Sequence, residues 1–134
     1  EIVYMKKDQS EWQECVFCHV DKSRVNAQKE LCYATDDLYP VTQHHMLIIP
    51  KRHVSDFFDL YQPEINAMYE LLKEMKSHIV ELDKTVTGFN IGTNVGEDAG
   101  QSVLHSHIHL IPRRHGDINQ TINNRRGGVR WAIP

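Results

Sequence analysis

Three histidines alternate with two other residues in the run His105-Ser106-His107-Ile108-His109. Alternate side chains of a β-strand point to the same face, so the three imidazoles are expected to stand in one row. At a rise of about 3.3 Å per residue, the first and third Cα atoms would lie about 13 Å apart, which is strained for ligation of one metal ion by all three. The spacing favours separate chemical tasks for the three side chains, with a His-x-His metal pair as the alternative.

A segment containing three glycines, residues 90–102, precedes the histidine row. Glycine lets backbone N–H groups approach an anion closely, and Asn94, Gln101 and Ser102 add side-chain donors beside Gly100. Glycines by themselves would indicate no more than a turn. Placed directly before three aligned histidines, this segment predicts a phosphate-binding loop.

Cys15 and Cys18 form a Cys-x-x-Cys pair with metal-ligand spacing, but one such pair needs two more ligands. Extended to His19, the motif also matches a haem attachment site, which would require an export route and a haem pocket. A redox dithiol would be expected to open a helix after a strand. Cys32 lies in an apolar run and is expected to be a buried small residue.

The candidate histidines and cysteines must be positioned by helices and strands, which the apolar pattern of the sequence predicts. Apolar residues recur at three- and four-residue steps from 63 to 82, which predicts one amphipathic helix whose stripe includes Tyr69 and Leu82. Runs of strand length rich in β-branched or alternating apolar residues predict strands at 30–35, 45–49, 86–91 and 103–111. Strands, a long helix and further strands together indicate an α+β layer in which a mostly antiparallel sheet carries the helix on one face.

The length and net charge of the chain argue against some classes of function. The chain has 134 residues and neither repeat nor linker, so a single domain spanning 1–134 is expected. A formal net charge of -3 provides no broad positive field, so polynucleotide is not expected as a partner. We expect neither a membrane span nor a signal peptide. Together with an odd number of cysteines, this favours a cytoplasmic location.

The run from His105 to Ile111 matches the pattern His-φ-His-φ-His-φ-φ, in which φ is apolar, and therefore resembles the histidine-triad (HIT) superfamily. The flanking Gly100-Gln101-Ser102 and Pro112-Arg113 are also similar to members. Further upstream, the segments 37–40 and 45–53 extend the resemblance over about residues 13 to 117. Two positions depart from the pattern. Ser106 is polar where an apolar residue is usual, and His44 stands where glycine is common.

The resemblance implies a HIT-like fold, with an antiparallel sheet of about five strands, one long helix and a short helix. It also implies a homodimer, since members usually pair two protomers edge to edge. The implied activity is a nucleotide hydrolase or transferase that cleaves dinucleoside polyphosphates, or related nucleoside phosphoryl compounds, through a covalent nucleotidyl-histidine. Its implied alternatives are a nucleoside phosphoramidase and a purine nucleotide-binding regulatory protein with little turnover.

By the same resemblance, His107 attacks the α-phosphorus, while His109 and His45 contact phosphoryl or bridging oxygens. The nucleophile needs a neutral Nε2, with the proton on its other ring nitrogen held by a backbone carbonyl. Asp37 would bind the ribose hydroxyls. The implied phosphate contacts are Asn94, Gly100, Gln101 and Ser102.

Relatives with the cysteine pair imply a structural zinc, which would be held here by Cys15, Cys18, His53 and His105. They also imply that the chemical reaction itself requires no cofactor. That set commits His105 to the metal and leaves His107 to react. A zinc-dependent hydrolase with the triad as ligands is the competing hypothesis. Arg125, Arg126 and Arg130 are expected to form a solvated basic tail, with contact to the polyphosphate as the functional alternative.

Overall fold

Five strands form one sheet in the computed structural model, which describes residues 15–117. The strands are β1 Val25–Gln28, β2 Cys32–Asp36, β3 Met46–Pro50, β4 Val86–Gly92 and β5 Ile108–Arg114. They lie in the order β1-β2-β3-β5-β4, and every neighbouring pair is antiparallel. The expected α+β architecture with about five strands is confirmed.

A single long helix, α1, spans Gln62–Leu82, one residue longer than its apolar periodicity predicts. It buries Met68, Leu71, Leu72, Met75 and Ile79 against the sheet, whereas Tyr69 and Leu82, which the pattern includes in the apolar stripe, are exposed. The carboxylate of Glu64 accepts the backbone N–H of Tyr61 and so caps the first turn. Short helical structure among the described residues consists of 3-10 turns at Lys22–Arg24, Phe57–Asp59 and Glu97–Ala99.

The two faces of the sheet have different coverings. The face under α1 carries Ala34, Ile48 and Leu110, which join the main hydrophobic core. The opposite face carries Tyr33, Leu47 and Ile49, and a smaller apolar cluster forms there with Phe17, Val20 and Val25 from the N-terminal part of the described chain. His109 pairs with Leu47 across β3 and β5 and therefore shares this second face.

The prediction of a strand over 103–111 is wrong in its first half, because β5 begins only at Ile108. The neighbouring strand β3 ends at Pro50, which has no N–H to donate to a continued ladder. The carbonyl of Pro50 accepts instead from the imidazole Nε2–H of His105 at 2.7 Å, and the N–H of Ser106 donates to the Val54 carbonyl at 2.6 Å. His105 and His107 therefore lie on a bent approach to the strand, and only His109 lies within it.

Strand β1 was not among the strands that the sequence pattern predicts. Its residues Val-Asn-Ala-Gln contain a single β-branched side chain, and no residue of the strand is fully buried. Among residues 15–117, β1 pairs only with β2 and forms one edge of the sheet, and β4 forms the other. Within residues 15–117, no helix combines the length and apolar composition that crossing a bilayer requires.

Candidate functional site

The middle histidine of the row, His107, is held in one tautomer by the backbone. Its Nδ1–H donates to the carbonyl oxygen of His105 at 2.8 Å. A neutral imidazole with its proton on Nδ1 has its lone pair on Nε2, which makes Nε2 the nucleophilic nitrogen. The hydroxyl of Thr93 in turn donates to the carbonyl of His107 at 2.7 Å and fixes the position of the residue. This is the arrangement that nucleophilic attack by His107 requires.

His107 lines a cavity of about 260 Å³ on the face of the sheet opposite α1. The ring of Phe17 meets the His107 ring edge-on, with centroids 5.1 Å apart. Phe17 is itself held by the Tyr33 hydroxyl, which donates to its carbonyl at 2.5 Å. The cavity is lined by apolar side chains and by two carboxylates, so it can take a group that combines a flat apolar ring with polar substituents. Its other lining residues include Val16, Val20, Asp36, Asp37, Leu38 and Ser102.

A second group joins the third histidine of the row to an acidic residue. His109 Nδ1 lies 3.0 Å from His45 Nε2, and the carboxylate Oδ2 of Asp37 lies 3.3 Å from the same His45 nitrogen. The backbone N–H of Val41 donates to His45 Nδ1 at 3.1 Å. Asp37, His45 and His109 are all buried. The structure thus brings the two histidines that were expected to contact phosphoryl or bridging oxygens together with the aspartate that was expected to bind the ribose.

The glycine-containing loop is organised by Gln101. Its side-chain oxygen accepts from the N–H of Gly96 at 2.8 Å, and its amide nitrogen donates to the carbonyls of Ser55 and Val103 at 2.8 and 3.1 Å. Gly96 and Gly100 have φ of 92° and 94°, which a residue with a Cβ rarely adopts. In this conformation Gln101 closes the loop, and Ser102 is the residue of the predicted phosphate set that lines the cavity.

The four residues expected to hold a metal lie together. Their ligand atoms, in Cys15, Cys18, His53 and His105, all lie within 4.8 Å of one another. Cys15 Sγ is 3.3 Å from His105 Nδ1, and Cys18 Sγ is 3.2 Å from His53 Nδ1. Two thiols and two imidazoles are the donor set of a structural zinc site.

The protonation of His105 tests whether the cluster fits a metal. Burial lowers the pKa of His105 to about 4, so its imidazole is neutral at physiological pH. Its Nε2–H is committed to the Pro50 carbonyl, which leaves the Nδ1 lone pair directed at the sulfurs. A neutral imidazole presenting one lone pair, with a backbone carbonyl holding the other nitrogen, is how histidine ligates zinc. The residues therefore fit the ion.

Neither rival for the cysteine pair gains support from the geometry. His19 is exposed, whereas the sulfurs of Cys15 and Cys18 face buried imidazoles from distant segments. Cys32, as expected, is fully buried, and burial raises the pKa of its thiol to about 11. All three cysteines are thiols.

The arginines after the histidine row are tied to the scaffold. Arg113 donates to the side-chain oxygen of Asn90 at 2.7 Å, and Arg114 forms a salt bridge with Asp83 at 2.8 Å. Arg125, Arg126 and Arg130 lie outside the described residues. Thr93 and Phe17 are the contributors that the sequence analysis missed. For Phe17, its place inside the Cys-x-x-Cys loop is the signal that could have revealed it.

Two curated relatives have nucleotide activities in their names. The AP-4-A phosphorylase of Mycobacterium tuberculosis is 34% identical over 100 residues, covering 74% of this chain and 51% of its own length. The asymmetrical bis(5'-nucleosyl)-tetraphosphatase of Schizosaccharomyces pombe is 33% identical over 98 residues, covering 73% of this chain and 53% of its own. The chain thus spans about half the length of these two proteins.

Two solved structures share the fold. A zinc-bound histidine triad family protein from Mycobacterium smegmatis aligns with a TM-score of 0.69 and 32% identity, covering 78% of each chain. The diadenosine triphosphate hydrolase of Plasmodium falciparum, solved in complex with cyclomarin A, aligns with a TM-score of 0.69 and 32% identity, covering 75% of this chain and 67% of its own. Residues 19–116 match the HIT domain. The chain belongs to the histidine-triad family, whose relatives include nucleotide-cleaving enzymes.

Proposed function

We propose that the protein cleaves dinucleoside polyphosphates by forming a covalent nucleotidyl intermediate on His107. The observation that carries this proposal is the 2.8 Å hydrogen bond from His107 Nδ1–H to the His105 carbonyl, made by a residue that lines the cavity. It places the lone pair of the ring on Nε2. With that tautomer fixed, Nε2 carries the lone pair with which a histidine attacks phosphorus in nucleophilic catalysis.

In the first step, Nε2 of His107 forms a bond to the α-phosphorus of the substrate. The bond from that phosphorus to the bridging oxygen breaks, and its electron pair leaves with the oxygen of the departing nucleoside polyphosphate. In the second step, water attacks the same phosphorus and loses a proton to solvent, while the N–P bond breaks and its electron pair returns to Nε2. Inorganic phosphate in place of water would give phosphorolysis, the activity that one relative's name states.

The remaining site residues would bind and stabilise the substrate. Ser102 and the N–H groups of the loop closed by Gln101 would donate to the phosphate oxygens, as would Asn94. Phe17 and the other apolar lining residues would contact the base. Asp37 lines the same cavity and would bind the ribose hydroxyls. His109 and His45 would meet the bridging oxygen.

Cys15, Cys18, His53 and His105 would hold zinc in a structural site. Because four protein ligands complete a tetrahedron, no position is left for water or substrate, and the ion contributes stability by joining three chain segments. A reducing compartment such as the cytoplasm is where these thiols stay available as ligands. A zinc-dependent hydrolase, which is the competing hypothesis, would need an open coordination position for water or substrate.

We also propose that two copies pair through β4. This strand is an edge of the sheet, and Ile91 on it is 58% exposed. An edge strand with an exposed apolar side chain is suited to pairing with a second copy. Sedimentation equilibrium should give the mass of a dimer, and a monomer at micromolar concentration would contradict this proposal.

A panel of substrates tests the activity. The protein would be incubated with dinucleoside tri- and tetraphosphates and with nucleoside phosphoramidates, with and without inorganic phosphate, while product masses are followed. Cleavage of the dinucleotides with oxygen from labelled water in the mononucleotide supports the proposal. Cleavage of phosphoramidates alone would favour the phosphoramidase, and tight binding without turnover would favour a regulatory nucleotide-binding protein. Mass spectrometry after rapid acid-free quenching should detect the nucleotidyl adduct on His107.

A further inference from the structure

The buried group of Asp37, His45 and His109 has a proton arrangement that can be derived from one backbone amide. A backbone N–H can only donate, so the 3.1 Å contact from Val41 N–H makes His45 Nδ1 an acceptor. The single ring proton of neutral His45 is therefore on Nε2. That nitrogen faces His109 Nδ1 at 3.0 Å and Asp37 Oδ2 at 3.3 Å.

The protonation of His109 follows from that of His45. Two ring N–H groups cannot point at each other across 3.0 Å, so His109 Nδ1 must accept while His45 Nε2 carries the proton. The ring proton of neutral His109 is then on Nε2. His109 thus has the opposite tautomer to its neighbour His107, whose proton is on Nδ1. His107 can therefore offer a lone pair that attacks a phosphorus, while His109 can donate a hydrogen bond to the oxygen that leaves the same phosphorus.

We propose that Asp37 is a positioning residue that acts through His45 to keep His109 in its donor tautomer, with Nε2–H directed to the leaving-group oxygen. This inference rests on the proposed function for the identity of that oxygen. Asp37 is itself fixed, since its Oδ1 accepts from Tyr39 N–H at 2.9 Å and its backbone N–H donates to the His45 carbonyl at 2.9 Å. Its Oδ2 lies 3.3 Å from His45 Nε2 and 3.8 Å from His109 Nδ1, where a negative charge favours a proton between the two rings.

Asp37→Asn is the discriminating variant. The amide of asparagine has one acceptor oxygen, so asparagine cannot both accept the Tyr39 N–H and present a second oxygen 3.3 Å from His45 Nε2, as the carboxylate does. We expect kcat to fall by at least about tenfold, within the usual contribution of general acid catalysis, while KM changes little. A nucleotide ester with a p-nitrophenolate leaving group needs little help from a donor and should lose less activity than a substrate with an amine or alkoxide leaving group.

Contact with the ribose is the competing role of Asp37, and 2',3'-dideoxy substrates separate the two. If Asp37 acts through His45, Asp37→Asn lowers kcat by the same factor for dideoxy and ordinary substrates. If it binds only the ribose hydroxyls, the variant raises KM for the ordinary substrate and has no effect on the dideoxy one, which would overturn the proposal. Glu70→Gln, on the exposed face of α1, is the matched loss of one carboxylate and should change neither constant.

The position of the ring proton on each histidine can also be measured directly, without an assay of turnover. Long-range ¹H–¹⁵N correlation spectra of the histidine rings distinguish the two neutral tautomers. We expect Nε2–H for His45 and His109 and Nδ1–H for His107, with a mixture of tautomers at His109 in Asp37→Asn. An Nδ1–H tautomer for His109 in the wild type would overturn the inference even if the enzyme is active. If the protein shows the expected tautomers but cleaves no nucleotide, the proposed function is refuted and the assignment of the tautomers stands.

Discussion

The backbone carbonyl of His105 accepts the Nδ1–H of His107, although the two side chains belong to different clusters. The imidazole of His105 faces Cys15 and Cys18, whereas that of His107 lines the cavity. One residue therefore contributes its side chain to the proposed metal site and its main chain to the orientation of the proposed nucleophile. The two contributions can be separated by mutation, because a substitution of His105 retains the carbonyl.

His107→Ala should abolish turnover while preserving the fold and the affinity for nucleotide, because the variant removes a nucleophile rather than a metal ligand. We expect a rate loss of at least about a thousandfold, as for other essential nucleophiles. Single-turnover kinetics and equilibrium binding of a non-hydrolysable dinucleotide measure the two effects. His78→Ala, an exposed histidine of α1, is the control. Comparable turnover in His107→Ala would refute the mechanism.

Cys15→Ser and Cys18→Ser should each release zinc and lower the melting temperature, since ligation by thiolate is coupled to folding. Activity per folded molecule should largely remain, because no catalytic step passes through the metal. Zinc content by elemental analysis and thermal unfolding are the measurements. Cys32→Ala should keep its zinc, as Cys32 is fully buried and outside the cluster. Activity that disappears with the metal at intact fold would favour the zinc hydrolase.

His105→Ala distinguishes a strand anchor from a catalytic triad member. The variant removes a ligand Nδ1 and the hydrogen bond to Pro50, but it keeps the carbonyl that holds His107. We expect loss of zinc and of stability, with a single-turnover rate within about tenfold of the wild type once folded. Full zinc content together with loss of the chemical step would show that the assignment is wrong, and His19 or His44 would then become the candidate fourth ligand.

Glu64→Gln should destabilise the fold by about 1–3 kcal/mol at pH 7, because a buried carboxylate that accepts three hydrogen bonds becomes an amide. Burial alone would raise the pKa of Glu64, but hydrogen bonds from Arg52 and the Tyr61 N–H outweigh it and hold the pKa below 4.5. The stabilisation is therefore complete above about pH 4.5 and is lost as the pH falls through the folded pKa. Urea unfolding at a series of pH values below 7 should show the difference in stability between wild type and variant shrinking as the pH falls. Glu70→Gln, on the exposed face of α1, is the control for the loss of a carboxylate.

Ser106→Ala should stabilise the protein by about 1 kcal/mol. The Ser106 hydroxyl is buried and has no hydrogen-bond partner among the described residues, so its removal eliminates a desolvation cost. Thr35→Val is the contrasting variant, since the buried Thr35 hydroxyl donates to the Arg24 carbonyl at 2.8 Å and its loss should destabilise. Chemical unfolding of both variants gives the comparison, and a destabilised Ser106→Ala would contradict it.

The sequence predicts elements best where periodicity is long. The helix is recovered within one residue because its apolar repeat persists from 63 to 82, over all but the first residue of α1. β5 is misjudged at its start, since alternation cannot reveal that Pro50 interrupts the neighbouring ladder and that its carbonyl bonds to an imidazole. The metal cluster was accessible only by resemblance, because its ligands lie in three separate segments. The tautomers of His45 and His109 depend on the Val41 amide, which no side-chain pattern encodes.

The metal cluster joins partners that are far apart along the chain, with Cys15 and His105 separated by 90 positions and Cys18 and His53 by 35. Contacts of such long range are costly in loop-closure entropy until the intervening structure exists, so we expect the four side chains to meet only after the sheet has assembled. Zinc would then bind a nearly complete fold and leave the rate of folding almost unchanged. Its stabilisation should appear as slower unfolding, which makes the holoprotein kinetically persistent and resistant to proteolysis that depends on global opening.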